Sequence, residues 1–259
     1  MLGYTSSMMQ RKRAQFWLSF VLLLWLAHAV GYLVHEYAHT FTAWVLGYKT
    51  NPLALDYGHL SLRNLLILSD IDENVDYRSL LAAGRGRLAS LIAVSGVLLG
   101  SGTFYIVSRV LYSFAKLRNR PILGLFALML CLMNVGNFLD YVPIRTFTTH
   151  ADMANIEMGL HISPWWIVAV LGLPFAVAIG HLFMKLLSDA RGFLFPSRTL
   201  AQVVLVALSS FTVFAFFGSA GMQGYGQTSH RLSVLSVCVL VPVVLILCWP
   251  RKTKPRANA

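Results

Sequence analysis

Charge is what this sequence has least of. Only 12% of its 259 residues are charged, and ten are acidic, against about 25% charged in a soluble domain. So few charges cannot coat a water-exposed surface, which excludes a soluble enzyme. Cysteine is scarce as well. Cys131, Cys238 and Cys248 all fall within apolar runs and no CxxC motif occurs, which excludes a disulfide framework. Solenoid-type repeats and low-complexity stretches are absent. In their place, 57% of the chain is hydrophobic and the mean hydropathy is +0.65. Disorder is excluded by that apolar content. What remains is an all-α, polytopic membrane helix bundle. A net charge of +11 would suit a nucleic-acid partner, but the basic residues sit in short clusters between apolar runs. That is the pattern of membrane topology. The expected partner is the lipid bilayer, and no nucleic acid.

A membrane helix needs about 20 mostly apolar residues to cross a hydrocarbon core of about 30 Å. Six stretches qualify, near 16–46, 88–112, 121–142, 164–187, 200–217 and 233–249. Two polar segments interrupt them, 47–87 with half of the ten acidic residues, and 143–163. The chain therefore divides into a core of three spans with its polar loop (1–160) and three further spans with a basic tail (161–259). Arg11-Lys12-Arg13, the apolar run after it and Ala27-His28-Ala29 imitate a signal peptide and its cleavage site. The apolar helix continues through that site to Trp44, so the segment reads as a retained span. Thirteen Lys and Arg lie on the side of the N-terminus, among them Arg251, Lys252, Lys254 and Arg256, and seven on the other. This places both termini in the cytoplasm, of a bacterial inner membrane or a plasma membrane, and the cluster Asp70, Asp72, Glu73, Asp76 outside.

The chemistry concentrates in His35-Glu36-Tyr37-Ala38-His39, within the first span. Residues four apart share a helix face, so both imidazoles can meet one metal ion. Catalytic zinc takes three protein ligands and a water, and Glu36 lies beside the pair, able to accept that water's proton. This is the HExxH arrangement of metal-assisted hydrolysis. Three ionisable groups on one turn of an apolar span are expensive, and packing alone does not call for them. A third ligand has to come from another segment. The third span ends in Asn134, Gly136, Asn137 and Asp140, followed by Pro143, His150 and Asp152. Such residues break a membrane helix and are tolerated where they line a wet cavity or are buried in protein. Asp140, His150 and Asp152 are the candidate ligands there.

With these motifs the chain resembles the site-2 protease family of intramembrane zinc metalloproteases. That family carries HExxH in one membrane helix. A later helix brings an Asn, a Pro and then an Asp-Gly whose Asp completes the zinc site. A small-residue motif begins the helix between. Here His35 to His39 match the first motif. Ala82-Ala83-Gly84-Arg85-Gly86-Arg87-Leu88-Ala89-Ser90 is similar to the second, without its Pro and Asn. Asn137, Pro143 and Asp152 follow in the family's order at longer intervals, with Met153 in place of Gly. The resemblance spans about residues 16–160. It implies a zinc-dependent metalloendopeptidase with Zn²⁺ on His35, His39 and Asp152, Glu36 as catalytic base, and a membrane protein or peptide as substrate. Asp140 is the alternative third ligand. It also implies a strand-forming segment after the HExxH helix that faces the cytosol, whereas the charge count puts 47–87 outside. The charge count is followed here.

Other functions start from weaker features. A metal-binding membrane protein without proteolytic activity would keep the same ligands, and a haem-binding electron carrier would use His28, His35 or His181. A lone histidine bonded within the bundle accounts for His28 and His181 more simply. Asp70 to Asp76 begins like a calcium loop, but its sixth position is Val75 and its twelfth Leu81, where Gly and Glu are required. Di-iron desaturases need further histidine boxes, which this chain lacks. Trp165 and Trp166 read as interfacial anchors, and 218–230 as a loop between the last two spans.

Overall fold

The computed structural model describes residues 2–250, with side chains from residue 18 onward. The basic tail with Arg251, Lys252, Lys254 and Arg256 lies outside the described residues, as do the side chains of Arg11, Lys12 and Arg13. The architecture is all-α. Helix α1 runs from Leu2 to Val45 without interruption at 27–29, and its membrane-length apolar part is Leu18–Val45. Two short helices follow, α2 (Leu62–Ile67) and α3 (Tyr77–Ala82). Then come α4 (Gly86–Leu117), α5 (Pro121–Phe147), the short α6 (Ala151–Leu160), α7 (Pro164–Leu194), α8 (Thr199–Met222) and α9 (Gln227–Leu247). The six long helices are long and apolar enough to cross a membrane.

Helix α5 is the axis of the bundle. Its apolar stretch is 83% buried, against 17–50% for the other five. A helix hydrophobic all round finds its place where protein surrounds it on every side. Its neighbours turn much of their apolar surface outward, and Leu99, Ile106, Val170, Leu173 and Ile246 are each at least 60% exposed. In water such a surface would aggregate. Against lipid tails it is the expected coat.

The polar segment 47–85 lies back over α1. Trp25 Nε1 donates to Leu65 O (3.1 Å), His28 Nε2 to Ile67 O (3.0 Å), and Tyr32 Oη to Ile71 O (3.1 Å). Where the resemblance implies a strand-forming segment, the described residues hold one isolated antiparallel bridge, Asp56 with Asp72. Helix α6 packs on the start of α4 through a crossing of two glycines. A Cβ on Gly86 would stand 2.6 Å from Gly159 O, and one on Gly159 would stand 2.2 Å from Gly86 O. Ser90 Oγ, sharing its donor between Ile156 O (3.2 Å) and Asn155 O (3.3 Å), ties the same crossing. This contact fixes the direction in which Asp152 enters the core.

The expected loop 218–230 is corrected. Helix α8 continues to Met222, α9 starts at Gln227, and only 223–226 connects them. Its small residues read as a loop but serve close packing. A Cβ on Gly218 would meet Ser236 Oγ at 2.2 Å, and one on Gly221 would meet Ser229 O at 2.3 Å. The turn itself falls to Gly224 and Gly226, whose φ of 94° and 91° favour residues without a Cβ.

Candidate metal centre

His35 and His39 stand one turn apart on α1, 2% and 1% exposed. They face a widened, π-type turn of α4 at Gly96–Gly102, a distortion that clusters at functional sites. Two glycines in that turn let the helices meet. A Cβ on Gly100 would stand 2.8 Å from the Cα of His35, and one on Gly96 would stand 2.1 Å from Nε2 of His39.

Each ring is held from behind. Nδ1 of His39 donates to the carbonyl of Ile92 at 2.8 Å. A carbonyl only accepts, so a proton sits on Nδ1, and in the neutral ring Nε2 then carries the lone pair. Nδ1 of His35 faces Ser101 Oγ at 3.3 Å, and Asn137 Nδ2 donates to the same oxygen at 3.4 Å. Tyr141 stacks on the His35 ring with centroids 4.7 Å apart. Partners of this kind fix the tautomer and direction of metal-binding histidines.

On the inner side the two Nε2 atoms are 3.2 Å apart. Asp152, 8% exposed at the start of α6, brings Oδ2 to 3.4 Å from His35 Nε2 and 3.3 Å from His39 Nε2. Two such ligands at about 2.0–2.1 Å from one ion, at a tetrahedral angle, stand about 3.3 Å apart. Three electron-pair donors converging at that spacing in a buried site suit a cation at their centre. The buried His35, His39 and Asp152 group can therefore hold a metal ion.

Asp140 is not part of the group. It pairs instead with Arg145, Oδ2 to Nη1 at 3.6 Å. Regular helix stops after Leu139, and Val142 takes extended angles (φ −134°, ψ 113°) before Pro143. A residue before proline is pushed that way by the ring. The break sends the chain through Arg145–Phe147 into α6, which carries Asp152 back to α1. His150 is hydrogen-bonded to Thr148 Oγ1 at 3.0 Å and stacks on Tyr225. His28 is held by Ile67 O, and Nδ1 of His181 by Tyr105 Oη at 2.8 Å.

Glu36 is 5% exposed, and its carboxyl makes no hydrogen bond or ion pair among the described residues. It lies within electrostatic reach of His39, Glu73 and Asp152. Glu73, one of the acidic cluster that the charge count places outside, is a neighbour of the site. It is 7% exposed, and burial pushes its carboxyl above the ordinary range. Lys49 Nζ, donating to Glu73 O (2.7 Å) and Asn74 O (3.1 Å), pins that stretch. The missed signal is a period of two. Asp70, Asp72, Asn74 and Asp76 are exposed, whereas Ile71 and Glu73 are buried and Val75 and Tyr77 half-buried. Alternation of this kind marks a segment with one face inward, although Asn74 itself turns through φ 53° and the chain is not extended throughout.

Compared with family models, curated proteins and solved structures, the chain finds no match.

Proposed function

We propose that this chain is an intramembrane zinc metalloprotease that hydrolyses a peptide bond of a membrane-protein substrate. One observation carries the reading, the convergence of His35, His39 and Asp152 at tetrahedral spacing beside an unpartnered buried Glu36. Two imidazoles and a carboxylate, with no thiolate, are a donor set that suits zinc. Zinc, when bound, supplies a Lewis acid for the scissile carbonyl and lowers the pKa of the attacking water.

The chain's own groups supply the remainder. Ile92 O and Ser101 Oγ keep both Nε2 atoms directed inward. Glu36 accepts a proton from water as the water oxygen adds to the carbonyl carbon. The same carboxyl then delivers the proton to the amine nitrogen as the C–N bond breaks. An intact substrate helix shields its peptide bonds with its own hydrogen bonds, so the substrate must unwind at the site. Charge distribution supports cytoplasmic termini with 47–87 outside. A membrane-impermeant label on a cysteine placed at Asn74 checks this, and labelling only from the cytoplasmic side would reverse it.

The third ligand is the sharpest point of test. Asp152→Ala removes one of three ligands, so zinc content and cleavage should fall together to background. Asp140→Asn weakens only the pairing with Arg145, so it should lower activity and retain zinc. Elemental analysis and a cleavage assay on both purified proteins decide. Zinc retained in Asp152→Ala, or lost in Asp140→Asn, overturns the assignment.

A further inference from the structure

Beside the metal centre lies a cavity of about 240 Å³, bordered by His35 and also by Arg63, Asp140, Tyr141, Arg145 and Tyr225. Pockets for drug-sized molecules run to about 300–1,000 Å³, so this one suits a single side chain or a peptide terminus. The Arg145 guanidinium packs over the rings of Tyr141 (4.8 Å) and Tyr225 (5.1 Å). Tyr141 in turn stacks on His35, so the guanidinium is one ring away from a metal ligand.

Stacking leaves the guanidinium its edge, which carries five N–H donors. Among the described residues none makes a hydrogen bond of normal length. The single ion pair, to Asp140, is long at 3.6 Å, and both Arg145 Nε and Asp140 Oδ1 are buried without partners. Unfilled donors on a buried charge are costly unless something fills them. Arg63, at the same cavity, also makes no hydrogen bond or ion pair among the described residues. Among the lining residues two guanidinium groups face one carboxylate, with Asp152 within electrostatic reach of Arg145 from the metal centre. An anion with two oxygens in a plane is the natural complement of an arginine edge.

We propose that this cavity is a subsite for a carboxylate of the substrate, held by Arg145 and Arg63 next to the metal centre. The carboxylate belongs to an acidic side chain near the scissile bond or to the substrate's C-terminus. This deepens the proteolytic reading and rests on it.

The test measures binding with no bond cut. The full chain, zinc-loaded and carrying Glu36→Gln, is titrated in detergent by ligand-observed NMR. The probes are N-acetylated alanine pentapeptides: one with a central Glu and an amidated C-terminus, its Gln counterpart, and all-Ala with a free or amidated C-terminus. A carboxylate peptide should bind about tenfold tighter than its neutral counterpart, the worth of one charge-assisted hydrogen bond. The Glu pair and the all-Ala pair separately show which source is used. Arg63→Gln, at an exposed residue, and Arg145→Lys, which keeps the charge beside Asp140 but loses the planar fork, should each cut that preference to about threefold or less. Equal binding within both pairs overturns the subsite, as does a preference that survives both substitutions. A wild-type chain that binds carboxylates preferentially yet cleaves nothing would instead refute the hydrolase and leave the subsite standing.

Discussion

Glu36→Gln should keep its zinc and lose its hydrolysis. The substitution preserves shape and removes only the ability to accept and deliver a proton. General acid–base assistance is worth about 10²–10⁴-fold, so cleavage should fall by at least that range. The structure gives little reason for collateral damage. The Glu36 carboxyl has no hydrogen bond or ion pair to lose among the described residues, and of the charged groups within its reach, His39, Glu73 and Asp152, two are acidic. Replacing a buried charge by a neutral amide there should leave thermal stability unchanged or higher. Zinc content, melting temperature and cleavage rate on one preparation check the three statements. Cleavage within a few-fold of wild type would remove Glu36 from the mechanism.

Gly96→Ala should empty the metal site from a distance of one methyl group. The new Cβ would stand 2.1 Å from His39 Nε2, 2.5 Å from His39 Cε1 and 2.7 Å from His35 Nε2. All three separations are far below van der Waals contact. The His39 ring cannot swing aside freely, because its Nδ1 is tied to Ile92 O at 2.8 Å. Overpacking of this kind costs about 1–3 kcal/mol, and here the strain falls on the two atoms proposed to bind the ion. The expected result is loss of zinc and of activity in a protein that still folds. Gly180→Ala is the matched control, since a Cβ there meets nothing within 4 Å, and it should behave as wild type. Full zinc occupancy in Gly96→Ala would mean that the ion, if bound, is not where these rings converge.

Much of the fold and of the candidate site is legible in the sequence. Six apolar stretches declare six spans because the bilayer demands length and hydropathy, which composition records directly. His35 and His39 declare a shared face through the helical period. Asp152 is one of three candidates in the broken segment and is singled out by the order of Asn137, Pro143 and Asp152, and the structure brings its carboxyl to the two rings after the chain breaks before Pro143. Other features were hidden for physical reasons. Gly96 and Gly100 sit in an apolar run where a glycine signals nothing, and their role exists only against α1. Glu73 is one of four acids within seven residues, and only the alternation from Asp70 to Tyr77, taken with the loop folded onto α1, sets it apart. Gly218 and Gly221 read as loop because small residues serve turns and close helix contacts alike, and the sequence does not distinguish the two. Arg145 carries no motif, and its significance lies in the partners it lacks.

The account stands or falls on whether a metal sits between His35, His39 and Asp152. The most direct measurement is elemental analysis of the full chain as purified, beside His35→Ala prepared identically. The account predicts about one zinc per wild-type chain, as a single closed three-ligand site requires, and background zinc in His35→Ala. A wild-type chain without metal, or equal zinc in both proteins, would contradict it.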